Sequence, residues 1–197
     1  MRSLSGNYAA VVDAIDAANA GDPTVVSVRG HGVALAFAHG RLAVEWVEFL
    51  RPDADELVLI AARAHHLRRW EVARSTYPEG RTGYLAWKRD QRHRHATDVA
   101  QLMEAAHYPP EEIERVQALV RRDRLASDPD AQLVEDAACL VFIETQLADV
   151  ARRLDHDLLV GVLRKTARKL SVEGAAAISR IPLGDFERAL LAEALIA

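Results

Sequence analysis

Apolar residues recur at three- and four-residue intervals along most of the chain, the period of helices with one buried face. Tyr8, Val11, Val12, Ile15 and Ala18 form the first stripe and predict a helix over Leu4 to Asn19, stopped by Gly21-Asp22-Pro23. Thr24 to Val28 is β-branched and reads as extended, and Arg29-Gly30-His31-Gly32 reads as a flexible turn. A second helix is expected from Val33 to Leu50 and a third from Ala54 to Trp70, with Asp53 as its N-cap. Ser75 to Gly83 is a connector. A long polar helix then spans Tyr84 to Ala106 and ends at Tyr108-Pro109-Pro110. Glu111-Glu112 suit the dipole of the next helix, which runs to Arg122. Asp130 to Arg153 follows, and its centre, Ala137 to Ile143, is apolar on every side, as in the middle of a bundle. Two or three more helices fill Asp155 to Ala197, broken near Ser171 and Ile181-Pro182. The pattern predicts an all-α fold, one helical domain over residues 1–197, with the helices of 155–197 packed on the rest.

The totals suit that picture. The chain has 197 residues, half of them hydrophobic, enough for one core without staples. Its single cysteine, Cys139, excludes a disulfide framework and is expected to be an inert core residue. The N-terminal stretch lacks a secretory pattern and no uncharged run is long enough for a membrane span, so the expectation is a cytoplasmic protein with no membrane partner.

Charge adds one feature. The net value of -4 conceals a basic stretch from Arg63 to Arg94, where nine Lys and Arg face only Glu71, Glu79 and Asp90. Such a stretch is either a solvated helix face or the footprint of an anion. A small anionic substrate is the expected partner, ahead of nucleic acid.

Candidate chemistry lies in the eight histidines. His39 falls on the second helix, the pair His65-His66 ends an apolar stretch of the third, His95 lies on the fourth, and Glu135-Asp136 opens the most apolar helix. A carboxylate beside an apolar run needs a partner, either a metal or a basic side chain. Imidazoles with carboxylates suit Fe, Mn or Zn better than Ca or Mg. The competing reading of each histidine is a core residue hydrogen-bonded to a carbonyl, and that of Asp136 is a salt bridge to an arginine. His31, His93, His107 and His156 read as surface residues. Arg68, Arg69 and Arg74, directly after the pair, could hold a phosphate or carboxylate, or could instead bridge helices through Glu71 or Glu135. Lys165, Arg168 and Lys169 read as a basic helix C-terminus.

The order of these groups resembles that of HD-domain metal enzymes, in which a lone His precedes an A-A-x-x-H-D motif. His39, Ala61-Ala62-Arg63-Ala64-His65-His66, His95 to Met103 and Val134 to Leu140 are similar to its successive elements, so the metal-site core is expected within 33–142. Two departures stand out: His66 replaces the aspartate, and Arg121-Arg122-Asp123 stands where a later His is usual. A closer resemblance covers nearly the whole chain. Ile15 to Asn19, His66-Leu67-Arg68-Arg69-Trp70-Glu71, Arg74-Ser75 with Tyr77-Pro78, Gly83-Tyr84-Leu85 with Trp87, and Glu135-Asp136 with Cys139 to Phe142 are similar to an uncharacterised microbial family, domain of unknown function 4202.

The HD resemblance implies a divalent transition metal held by His39, His65 or His66, His95 and Asp136, with Arg68, Arg69, Arg74 and Glu135 serving catalysis. Adjacent helical residues diverge by about 100°, so only one of His65 and His66 is expected to face inward. The implied activity is a metal-dependent phosphohydrolase for a small phosphorylated or nucleotide-like anion. The alternatives are an HD-type di-iron oxygenase, and a non-enzymatic binding protein with a degenerate site.

Overall fold

Helix α1 covers Tyr8–Asn19 and buries Val11, Ile15 and Asn19, a stripe with helical spacing. In the computed structural model, which describes residues 4–196, the chain then makes a β-hairpin of β1 (Val25–Val28) and β2 (His31–Ala34). Arg29 and Gly30 form its two-residue turn, both at positive φ, matching the right-handed twist of paired strands. The expected flexible turn is therefore an ordered hairpin, and Val33 and Ala34 pair with Val26 and Val25 instead of opening a helix.

Helix α2 (Leu35–Leu50) buries Ala36, His39, Gly40, Ala43 and Val47. Helix α3 (Glu56–Ala64) is capped by Asp55, whose side chain accepts from Val58 N–H at 3.0 Å; Asp53 does not have that role. All seven residues from Val58 to Ala64 are buried, so α3 is the centre of the first core. It stops well before Trp70, because Arg68 adopts a left-handed conformation and gives its N–H to the Asn19 side chain. Two 3-10 turns follow, at Arg69–Glu71 and Arg74–Thr76.

Helix α4 (Gly80–Ala105) starts one turn earlier than expected, at a glycine with φ +81°. Helices α5 (Pro110–Arg121) and α6 (Pro129–Ala151) each carry proline in the first turn, where its missing N–H costs nothing. Asp128 caps α6 through the N–H groups of Asp130 and Ala131 and also pairs with Arg115 of α5. Helices α7 (His156–Ala167), α8 (Val172–Ala177) and α9 (Asp185–Ile196) complete the chain.

The resulting all-α fold has two apolar clusters. The first joins α1 to α5 with the N-terminal half of α6; the second joins the C-terminal half of α6 with α7, α8 and α9. Trp46 and Leu50 of α2 touch both. Helix α6 thus runs between the clusters, and its polar residues meet the seam. No helix of the described residues is long and apolar enough to cross a membrane.

Candidate functional site

Three histidines meet at the junction of α2 and α3. Gly40 makes this possible: a Cβ there would lie 2.7 Å from the carbonyl oxygen of Arg63, so only glycine lets the two helices approach so closely. His39, next to Gly40, is thereby brought against His65 and His66, with its ring centroid 4.7 Å from that of His66. The His65 and His66 centroids are 4.3 Å apart. One ligand atom from each ring lies within 4.8 Å of the others, so the group can hold a metal ion. Both members of the pair belong to it, contrary to the expectation of one. The 100° divergence does not apply, because α3 has already ended at Ala64.

Hydrogen bonds set the tautomers. Thr145 donates its hydroxyl to Val141 O at 2.7 Å, so at 3.1 Å it accepts from His39 Nε2–H. That leaves the Nδ1 lone pair of His39 buried with no partner. His65 donates from Nδ1 to the Ala62 carbonyl at 2.7 Å, which leaves its Nε2 lone pair buried and likewise free. A carbonyl and a hydroxyl orienting ligand imidazoles in this way are usual supports of metal sites. His95 of α4 adds a fourth ring, 6.3 Å from His66, buried beside the Leu67 backbone.

All four rings are held neutral, the form that binds a metal. Burial pushes His39 and His66 well below the usual value, with neighbouring His65 and Arg69 acting in the same direction. Burial lowers His65 to about 4, against the opposing pull of the Ala62 carbonyl. His95 falls to about 3, through burial and then Arg69.

The histidines line a cavity of about 410 Å³ whose wall also carries five cationic side chains among apolar and aromatic ones. Arg69, Lys88, Arg92, Arg122 and Lys169 line it, with Glu135 the only carboxylate among its lining residues. Glu135 is buried and ion-paired to both Arg122 and Lys169, the latter at 3.5 Å. Arg69 lies over the Trp87 ring at 4.4 Å. Its backbone is fastened to α4 by Gln91, which donates to the carbonyls of Arg69 and Val72 at 3.0 and 2.8 Å. Cys139 also faces the cavity, and burial with Glu135 raises its thiol to about 12, so it stays protonated and inert.

The expected site residues therefore divide. His39, His65, His66, His95, Arg69 and Glu135 come together at the cavity. Asp136 does not: its carboxylate accepts from Ser171 N at 2.8 Å, Ser171 Oγ at 2.5 Å and Gln132 Nε2 at 2.9 Å, in a separate cleft of about 240 Å³. It anchors the start of α8. Arg74 donates to the carbonyls of Tyr77, Pro78 and Gly80 and holds the connector together. Arg68 does not line the cavity and lies 3.9 Å from Glu71.

Sequence reasoning missed Lys88, Arg92, Arg122 and Lys169 as cavity residues, and Thr145 as a support. A signal existed for two of them. Lys88, Arg92 and His95 are spaced four and three apart on α4, one helix face. The same spacing joins Glu135, Cys139, Phe142 and Gln146 on α6 and excludes Asp136, which points about 100° away.

These features define a class: an all-α protein whose buried, neutral histidine cluster opens onto a small cationic cavity. The chain belongs to the family described as Domain of unknown function (DUF4202), which matches residues 9–191. No curated protein and no solved structure matches it significantly.

Proposed function

We propose that the protein is a metal-dependent hydrolase acting on a small phosphorylated anion. The observation that carries this reading is a shared cavity: His39, His65 and His66, whose ligand atoms lie close together, and the five cations line the same space. Three neutral imidazoles suit Zn, Fe or Mn, and three protein ligands leave positions open, as in catalytic sites. A metal bound there would supply Lewis-acid polarisation and lower the pKa of water.

The chain's own residues supply the rest. Arg69, Lys88 and Arg92 attract and orient the anion and offset charge that develops on its oxygens. Glu135 holds Arg122 and Lys169 in place and, as the carboxylate among the lining residues, would accept a proton from the attacking water. Thr145 and the Ala62 carbonyl keep two rings in the ligand tautomer. The likeness to HD-domain enzymes in the order of His39, His65-His66 and His95 favours the same reaction class. The set nevertheless departs from that pattern twice: His66 stands in place of the motif's aspartate, and Asp136 serves α8.

Elemental analysis of the purified protein, with a phosphate-release assay under anaerobic conditions, tests the proposal. The expected result is about one equivalent of Zn, Mn or Fe, together with phosphate release. Both should be lost in His66→Ala while helicity is retained. Protein that carries no transition metal and binds none on titration would overturn it and leave the non-enzymatic binding reading, which the structural engagement of Asp136 favours. Iron with oxygen consumption and no phosphate release would instead favour an oxygenase.

A further inference from the structure

The charge on the cavity wall specifies its ligand more closely than "anion". Five cations face one carboxylate among the lining residues. The cavity therefore has an excess of four positive charges before any metal enters. Arg122 and Lys169 are ion-paired to Glu135, whose charge also reaches Lys88 and Arg92, so one carboxylate serves four of the five cations. A surface could dilute such a group in water. Here the cations are partly buried and converge from separate elements: the 3-10 turn, α4 and the ends of α5 and α7.

The arrangement is costly to the fold. Lys88 is depressed to about 8, by burial and then by Lys169, Arg92 and Arg122, so its ammonium is held against like charges. Arg122 occupies the residue after α5 with φ +65°, a left-handed position where glycine is the favoured residue. That conformation carries its guanidinium to Glu135 at the cavity wall.

We infer that the cavity binds a small molecule carrying two or more linked phosphoryl groups, the diphosphate or triphosphate class. Orthophosphate brings at most about two charges at neutral pH and leaves half of the excess unbalanced, whereas a linked pair brings about three and a linked triplet about four. The guanidinium groups of Arg69 and Arg92 suit phosphoryl oxygens geometrically, and the ammonium groups of Lys88 and Lys169 suit them as point charges. A cavity of about 410 Å³ has the size of a small-ligand site. The inference rests on the hydrolase proposal only in taking phosphate as the anion, and it requires no metal.

The experiment is calorimetric titration of the full chain, stripped with a chelator that is then removed, using orthophosphate, pyrophosphate and tripolyphosphate as probes. Pyrophosphate and tripolyphosphate are expected to bind at least tenfold more tightly than orthophosphate. The double variant Lys88→Gln with Arg92→Gln should lose at least tenfold of that affinity. Its melting temperature should hold or rise, because like charges are removed, and this separates lost binding from lost folding. Equal affinities for the three probes, no binding, or wild-type binding by the double variant would overturn the inference. Oligophosphate binding by a protein that takes up no metal keeps this inference and removes the hydrolase. Metal uptake without oligophosphate preference does the reverse.

Discussion

The α-carbon of Gly40 lies so close to the Arg63 carbonyl that a single added methyl would come within 2.7 Å of the oxygen. The obstacle is backbone, which cannot rotate aside, so the helices must separate. Gly40→Ala is expected to cost about 1–3 kcal/mol of stability, the range for overpacking. It should also lower metal occupancy, because His39 moves with α2. Wild-type metal content at an unchanged melting temperature would show that the close approach is dispensable.

Thr145 tests the supporting layer. Thr145→Val keeps the shape but removes the acceptor for His39 Nε2–H. Metal affinity is expected to fall by about 10–100-fold, the usual effect of losing an outer hydrogen bond to a ligand histidine. Competition with a chromophoric chelator measures it; an unchanged dissociation constant would remove Thr145 from the site.

Asp136 should behave as a fold residue. Asp136→Asn places an amide against the N–H and hydroxyl of Ser171, and the expected penalty is about 1–3 kcal/mol. Metal stoichiometry should stay at the wild-type value. If the variant loses its metal while remaining folded, the carboxylate belongs to the metal site after all.

Acid should weaken the metal-free protein early. His65 and His95 titrate at about 4 and about 3 in the fold, but near 6.5 in an unfolded chain. Between those values the unfolded state binds more protons, so stability is complete above roughly pH 6.5 and declines as pH falls toward 4. Melting temperature is expected to drop steadily from pH 7 to 5, and less steeply in His95→Gln. Equal slopes for the two proteins would contradict the buried, neutral state of His95.

Glu135 separates binding from turnover. Glu135→Gln releases Arg122 and Lys169 from their carboxylate. Pyrophosphate affinity is expected to rise by roughly tenfold, about 1.4 kcal/mol, while phosphate release falls by about 10²–10⁴, the range for losing a general acid or base. Affinity and turnover falling together would assign Glu135 a purely structural role.

Much of the fold was legible because helical burial is periodic. The stripes of α1, α2 and α3 are visible in the sequence, and proline, glycine and Asp-Pro punctuation marks most helix ends within a few residues. The hairpin was hidden because four-residue strands carry too little alternation to outweigh neighbouring helical signals. In the site, the histidines were legible by residue type and order. Choosing between Glu135 and Asp136 required the rotation of α6, which an all-apolar helix does not reveal. Arg122 and Lys169 escaped because they follow the ends of α5 and α7, where basic residues already have a reason to be. Their convergence is a tertiary fact, produced by the packing of α6 between two clusters.

Neighbouring carboxylates on α6 fasten the chain beyond α7 at two points: Glu135 grips Lys169, and Asp136 grips Ser171 two residues later. The pair works like a double button. An anion bound in the cavity, as proposed, would compete for the first fastening and leave the second closed, so that occupancy would be felt by the segment leading into α8. Amide exchange at the start of α8 would then be a gauge of what occupies the cavity.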